Sequence, residues 1–194
     1  MCASTFQFED KKGVRILRLC SEDETNRLTQ ALVLGLTGAI EQLAVSAQPL
    51  VIAGNDRFFS AGADLAEIAA LDGPSAYRFS RMGQHLMRVI ADFPAPIYAA
   101  ISGYCMGGGL DLALACRYRM ASPHAIFGHR GAALGLMTGW GGTQLLPRII
   151  GKGRALEIFV AAEKFSAARA HSIGMVDAIA PDPVAESVQK IIAR

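Results

Sequence analysis

The sequence predicts an α/β fold, because segments with strand and helix patterns alternate along its 194 residues. Several strand-turn-helix units of roughly thirty to forty residues follow one another, as α/β folds require. Hydrophobic residues make up 52% of the chain and charged residues 19%, a composition that buries a core rather than staying disordered. The length fits one domain, and we predict that residues 1–194 form it.

Apolar periodicity gives the elements of the N-terminal half. Alternating apolar and basic residues indicate a half-exposed strand, apolar residues at every third or fourth position indicate a helix, and a short apolar run indicates a buried strand. In chain order these patterns predict a strand at 14–19, a helix at 29–44, a strand at 50–54, a turn at 55–56, a segment at 58–65 that leads into a short helix, and a helix at 74–91. Pro94 and Pro96 end the last helix, since proline cannot continue one.

The stretch PAPIYAAISGYCMGGGLDLALAC, at 94–116, predicts a buried strand, a tight turn and a buried helix. Three glycines, at 107–109, stand where the turn becomes the helix and allow a ligand to approach the backbone closely. The first N–H groups of the helix lack intrahelical acceptors, so a small developing negative charge could bind there. The uncharged run at 93–110 could also suggest a membrane helix, but its two prolines, one serine and four glycines favour a core segment.

The C-terminal half continues the alternation. Two short strands, a glycine-rich segment that ends in an amphipathic helix, two more helices, a strand and a final helix are predicted. Their ranges are strands at 117–121 and 125–129, the glycine-rich segment at 131–151, helices at 154–162 and 166–172, a strand at 175–180 and a helix at 184–193.

Charge and cysteine usage restrict the partners and the compartment. The net charge is only +2 and no basic block occurs, so neither a nucleic-acid nor a membrane partner is expected. The N-terminus has no apolar signal-peptide core, and no CxxC pair occurs, which favours reduced thiols and a cytoplasmic protein. No His and Cys cluster has metal-ligand spacing and no GxGxxG motif is present, so no metal is expected. The cysteines are Cys2, Cys20, Cys105 and Cys116.

Two segments strongly resemble the enoyl-CoA hydratase/isomerase family, also called the crotonase superfamily: FFSAGADL at 58–65 and SGYCMGGGLDLALACRYRMAS at 102–122. GWGGTQLLPRIIG at 139–151 and KFSAARAHSIGMVDAI at 164–179 fit the family as well. The resemblance implies a crotonase-type spiral of β-β-α units with two nearly perpendicular sheets. It also implies C-terminal helices that assemble trimers, so a homotrimer or hexamer is expected, although this chain should lack most of that helical region.

The resemblance further implies an acyl-CoA thioester substrate and an oxyanion hole made by the backbone N–H groups of Ala63 and Gly108. No separate cofactor is implied, because coenzyme A is part of the substrate. One such donor typically contributes ~3–4 kcal/mol to stabilising the charge of a transition state. The neighbouring residues expected to bind the substrate are Ala61, Gly62, Asp64, Leu65 and Gly107.

The carboxylates depart from the family pattern. Asp111 matches the first glutamate of the two-carboxylate hydratases, whereas Gly131 matches the second, and no carboxyl group occurs between Asp111 and Glu157. Asp111 could act as acid or base, or pair with an arginine under the turn. His129 suits proton transfer, or could be a structural hydrogen bonder at a strand end. Hydration that needs a paired acid and base is therefore in doubt.

Four other side chains near this region each have two interpretations. Tyr104 could donate a proton but is expected to pack beneath the turn, and Asp64 is expected to cap the short helix. Trp140 and Met137 could shape an acyl pocket or pack in the core.

The sequence is compatible with two alternative functions. The first is an acyl-CoA lyase or isomerase of fatty-acid-type metabolism that stabilises an enolate, more decarboxylase-like or isomerase-like than a two-glutamate hydratase. The second is a catalytically silent acyl-CoA-binding or assembly protein of the same fold, which Gly131 favours and the oxyanion segments oppose.

Overall fold

A computed structural model describes residues 5–193, so Cys2 and the two ends of the predicted domain lie outside the described residues. The strands are β1 (Phe6–Lys11), β2 (Val14–Leu19), β3 (Arg27–Leu28), β4 (Leu50–Ala53), β5 (Phe58–Ser60), β6 (Gly62–Ala63), β7 (Ile97–Ile101), β8 (Tyr104–Met106), β9 (Tyr118–Ala121), β10 (Ile126–Gly128), β11 (Lys164–Ser166) and β12 (Ala178–Ile179). The α-helices are α1 (Gln30–Ala44), α2 (Leu65–Ala69), α3 (Gly73–Ala91), α4 (Gly108–Ala115), α5 (Gly142–Ile150), α6 (Lys152–Ala161), α7 (Ala167–Ser172) and α8 (Pro183–Ile192), with a 3-10 helix at Ala132–Leu134. The predicted α/β class is confirmed.

The larger sheet has six strands in the order β1-β2-β4-β7-β9-β12. All its neighbours pair in parallel except β1 and β2, which form an antiparallel hairpin. The hairpin turns through Lys12 and Gly13, both with positive φ, which matches the right-handed twist of the two strands.

The inner strands of the larger sheet, β4, β7 and β9, are buried on both faces, to which their successive side chains point in turn. Leu17 and Ile52 belong to the main core cluster, whereas their neighbours Ile16 and Val51 belong to a second cluster. Val188 of α8 completes that second cluster. The uninterrupted apolar run of β4 follows from this double burial.

The smaller sheet brings together the segments that form the candidate site. It has the order β11-β10-β8-β5, and β5, β8 and β10 run parallel to one another. Parallel strands end at the same edge of a sheet. The segments that follow these three strands are β6, which pairs with β3, the N-terminus of α4, and His129, so the topology brings them together.

The predicted helices are confirmed, since α1, α3, α6, α7 and α8 lie within two residues of their predicted ends. The uncharged run at 93–110 forms β7, β8 and the start of α4, and none of the helices described could span a membrane. Six strands were not predicted: β1, β3, β5, β6, β8 and β11. All except β1 have only two or three residues, which is too short to show an alternating pattern, and β1 is an edge strand with mostly exposed side chains.

Two buried cysteines should resist alkylation in the folded protein. Burial raises the pKa of the Cys116 thiol to about 12 and raises that of Cys105 well above its ordinary value. Because only the thiolate reacts, we expect native Cys116 to react with iodoacetamide at pH 8 roughly 10³-fold more slowly than in the unfolded chain. Peptide mass spectrometry with and without denaturant measures this, and equal labelling of native and unfolded Cys116 would contradict the burial.

Candidate active site

The backbone of β6 lies against the turn that starts α4. Gly62 has a φ of +95°, and a Cβ placed on it would lie 2.6 Å from the Met106 carbonyl oxygen and 3.1 Å from the Gly108 nitrogen. Only glycine accepts both this conformation and this approach. Ser60 fixes the segment, because its hydroxyl accepts a hydrogen bond from the Gly62 N–H at 3.0 Å and donates one to the Asn26 carbonyl oxygen at 2.7 Å.

The turn itself is held by Gly107, the N-cap residue of α4, which has a φ of +50° and a ψ of −120°. Its N–H donates to the Gly128 carbonyl oxygen at 2.9 Å, which ties the turn to β10. Gly108 is the first residue of α4, so its N–H has no intrahelical acceptor. A Cβ on Gly108 would lie 3.3 Å from the Ala63 nitrogen. The two backbone nitrogens predicted as donors are therefore neighbours.

A cavity of about 560 Å³ opens beside these nitrogens. All four candidate catalytic residues line it, Ala63, Gly108, Asp111 and His129, and so do four of the expected substrate-binding residues, Ala61, Gly62, Leu65 and Gly107. Its other walls are mostly apolar, with Ile68, Leu71, Phe79, Leu134, Met137 and Trp140 among them.

Asp64, the fifth expected substrate-binding residue, does not line the cavity. Its carboxylate caps α2 by accepting hydrogen bonds from the N–H groups of Ala66 at 2.8 Å and Glu67 at 3.2 Å. It also forms an ion pair with Arg27 at 3.3 Å. The predicted helix cap is confirmed, and the carboxylate is occupied by protein partners.

Asp111 lies at the back of the cavity and is completely buried. Its Oδ1 atom lies 2.9 Å from Nε2 of His129, and its Oδ2 atom accepts a hydrogen bond from the Thr138 hydroxyl. The alternative of a partner arginine is wrong, because the partners are a histidine and a threonine. Gly142, the first residue of α5, packs so closely that a Cβ on it would lie 2.1 Å from Asp111 Oδ1.

His129 follows β10 and is 4% exposed. Its ring meets the Phe159 ring edge-on, with centroids 5.1 Å apart. In the part of the chain that the structure describes, Nδ1 has no hydrogen-bonding partner. The ring is therefore held through Nε2, and His129 is one of the residues that line the cavity.

Gly131, which the resemblance matches to the second carboxylate of the family, packs closely against backbone atoms. The Gly131 carbonyl oxygen accepts hydrogen bonds from the N–H groups of Leu134 and Leu136, both at 2.8 Å. A Cβ on Gly131 would lie 2.7 Å from the Leu136 carbonyl oxygen. A side chain cannot be added there unless the 131–136 segment moves.

Three large side chains near the site have different surroundings. Trp140 is both core and cavity wall, because it is 3% exposed, packs 5.1 Å from the Phe79 ring and lines the cavity. Met137 lines the cavity but is 62% exposed, so it is not core. The expectation that Tyr104 packs beneath the turn is wrong: its ring is partly exposed, against Phe58 and Lys164.

Three further side chains line the cavity without having been predicted from the sequence. They are Thr138 and the cationic side chains of Arg130 and Lys164. A single threonine in a glycine-rich segment carries no chemical signal of its own. Its position 27 residues after Asp111 shows its role only when the fold brings the two side chains together.

Known proteins similar to this chain share one family description. A family profile described as Enoyl-CoA hydratase/isomerase matches residues 9–194. A probable enoyl-CoA hydratase of Bacillus subtilis is 39% identical over 168 residues, which are 85% of this chain and 65% of that protein. A crotonyl-CoA hydratase of Syntrophomonas wolfei is 34% identical over 192 residues, 96% of this chain and 73% of that protein. The chain thus spans about two thirds of the length of these relatives.

Solved structures are similar in fold along almost the whole chain. DspI of Pseudomonas aeruginosa superposes with a TM-score of 0.93 at 31% sequence identity, covering 98% of this chain and 74% of the other. An enoyl-CoA hydratase of Bacillus anthracis gives a TM-score of 0.92 at 30% identity, covering 98% and 78%. Because the family profile matches residues 9–194 and a relative is 34% identical over 96% of this chain, the chain belongs to the enoyl-CoA hydratase/isomerase, or crotonase, family.

Proposed function

We propose that this protein is an enzyme that acts on an acyl-CoA thioester and stabilises the enolate of that thioester at Ala63 and Gly108. The observation that carries the proposal is the approach of Gly108 to the Ala63 nitrogen at the wall of an apolar cavity. A thioester carbonyl gains negative charge as the enolate forms. Two preorganised N–H groups directed at the thioester oxygen would stabilise that charge without reorganisation.

Within the family, we propose decarboxylation of a malonyl-type thioester, or isomerisation of an enoyl thioester, rather than two-glutamate hydration. Among the described residues that line the cavity, Asp111 is the sole carboxylate, and it is already hydrogen-bonded to His129 and Thr138. Loss of CO₂ generates the enolate without a base and needs one later proton. Isomerisation needs one group that removes a proton and returns it.

Hydration is the second candidate, and the names of relatives favour it. Proteins named as hydratases are 34% and 39% identical to this chain. A single acid or base would then have to orient the attacking water, because Gly131 provides no second carboxylate. A silent acyl-CoA-binding protein is the outcome if no thioester is turned over.

A substrate panel tests these proposals. The protein is incubated with methylmalonyl-, ethylmalonyl-, 3-enoyl- and crotonyl-CoA, and the products are identified by mass spectrometry. We expect loss of CO₂ or a double-bond shift, and we expect Asp111→Asn to lower the rate by about 10²-fold or more, because it removes the charge beside His129. Asp56→Asn is the control, since Asp56 is exposed and remote from the cavity. Binding without turnover of any thioester would overturn the proposal.

We also propose, from the family resemblance, that subunits of this protein assemble as a homotrimer or hexamer. Size-exclusion chromatography with light scattering measures the mass. A monomer of 20.6 kDa at all concentrations would contradict the assembly.

A further inference from the structure

We infer that His129 is the group that transfers the proton at this site, and that Asp111 and Thr138 are positioning residues that hold its ring. The inference rests on the proposed enolate chemistry and deepens it. In the two-carboxylate hydratases that the sequence resembles, the residue at the Asp111 position handles protons itself. The contacts of this structure give that residue a different task.

The surroundings of Asp111 favour an anion over a proton carrier. Asp111 is fully buried, its Oδ2 atom accepts a hydrogen bond from the Thr138 hydroxyl, and its Oδ1 atom lies 2.9 Å from Nε2 of His129. It lies in the first turn of α4, and Gly142 at the start of α5 packs against its Oδ1 atom. Helix N-termini favour negative charge. A hydroxyl donor and two helix N-termini beside one carboxyl group favour its ionised form.

This anion fixes where the protons of His129 are. An ionised carboxylate can only accept hydrogen bonds, so Nε2 of His129 carries a hydrogen and donates it to Asp111 Oδ1. In the neutral imidazole the lone pair is then on Nδ1. Nδ1 is also the ring nitrogen that no described residue engages, and His129 lines the cavity. The pattern is that of an acid or base oriented by a third group.

The proton balance is simple for both proposed reactions. In decarboxylation, the bond between Cα and the carboxylate carbon breaks and CO₂ leaves. The electron pair of that bond stays on the thioester and forms the enolate. Nδ1–H of the imidazolium then gives its proton to Cα, and solvent returns a proton to Nδ1. In isomerisation, Nδ1 takes the proton from C2 and returns it to C4, with no net change in the enzyme.

Thr138 fixes the plane of the carboxylate. Its hydroxyl donates to Asp111 Oδ2 and accepts a hydrogen bond at 3.4 Å from the N–H of Trp140, a wall of the cavity. Without this hydroxyl the carboxylate can rotate about its Cβ–Cγ bond and release the ring of His129. The other charged side chains that line this cavity, Arg130 and Lys164, form no ion pair with Asp111.

Deuterium labelling distinguishes His129 from bulk solvent as the source of the proton. Chiral ethylmalonyl-CoA is decarboxylated in D₂O, and the configuration at the deuterated Cα is determined. The wild type should give one configuration. We expect His129→Gln, which keeps a donor for Asp111, to lower the rate by about 10²-fold and to give a racemic product. His85→Gln is the control, because His85 is exposed on α3 and pairs with Glu41. An unchanged rate and configuration in His129→Gln would overturn the inference.

A matched pair of variants tests the positioning role of Thr138. Thr138→Val keeps the shape and removes the hydroxyl, whereas Thr138→Ser keeps the hydroxyl. We expect about a tenfold loss of kcat with little change in KM for Thr138→Val, and near-complete rescue for Thr138→Ser. Equal loss in both variants would show a packing role instead and contradict the inference.

Nitrogen NMR of the imidazole tests the inference without turnover. With ¹⁵N-labelled histidine, neutral His129 should be the Nε2–H tautomer, and Asp111→Asn or Thr138→Val should reduce that preference. If the wild type turns over no thioester, the proposed function fails while this measurement still decides the positioning. An Nδ1–H tautomer in the wild type would overturn the inference by itself.

Discussion

Gly62→Ala is expected to lower turnover of the acyl-CoA substrate by about 10²–10³-fold, the effect of losing one oxyanion donor. The new Cβ would lie 2.6 Å from the Met106 carbonyl oxygen and 3.1 Å from the Gly108 nitrogen, and both are backbone atoms. The φ of +95° adds strain for any side chain. The segment has to shift, which would change the positions of the Ala63 and Gly108 N–H groups relative to each other. Steady-state kinetics on the best substrate of the panel measures the loss.

Gly13→Ala is the matched control for this change. Gly13 also has a positive φ, +79°, but it lies in the β1–β2 turn, and a Cβ there would meet no atom within 4 Å. We expect a loss of about 1–2 kcal/mol in the free energy of unfolding from strain alone, with kcat unchanged. Comparable kcat losses in both variants would mean that strain, rather than crowding of the two donors, explains the Gly62 result.

Gly83→Ala is expected to lower the free energy of unfolding by about 1–3 kcal/mol, although alanine is the better helix former. Gly83 lies inside α3 against Trp140, and a Cβ on it would lie 2.1 Å from Cδ1 and 2.3 Å from Nε1 of that ring. The Trp140 ring has little room to move away from a new Cβ. Its Nε1–H donates to the Phe79 carbonyl oxygen at 3.1 Å, and a Cβ on Gly108 would already lie 2.7 Å from the ring.

Urea unfolding followed by circular dichroism measures the change in the free energy of unfolding. Gly38→Ala is the control, for which we expect a change of opposite sign. Gly38 lies inside α1, where a Cβ meets no atom within 4 Å. The same substitution should therefore raise stability by roughly 0.5–1 kcal/mol there. Because Trp140 is a cavity wall, Gly83→Ala should also weaken substrate binding. A stabilised Gly83→Ala variant would show that the tight contact between α3 and Trp140 is not present in solution.

Much of the secondary structure could be predicted because its signals are local. The apolar period of α1 and α3 and the prolines at 94 and 96 give the helices within a residue or two. The two- and three-residue strands of the smaller sheet could not be predicted in this way. They form because β8 has β5 and β10 as neighbours, and pairing between distant segments leaves no period in so few residues.

The glycine turn could be found in the sequence alone, because it depends on residue types at a fixed spacing. The resemblance of the sequence to the family implied the two candidate donors and the replacement of the second carboxylate by Gly131. The pairing of Asp111 with His129 and Thr138 was decided only by the tertiary structure. Those side chains are 18 and 27 residues from Asp111. They meet because β8 and β10 run parallel and because α5 starts against α4. A hydrogen bond reaches about 3 Å, and the chain pattern cannot place side chains from separate elements to that accuracy.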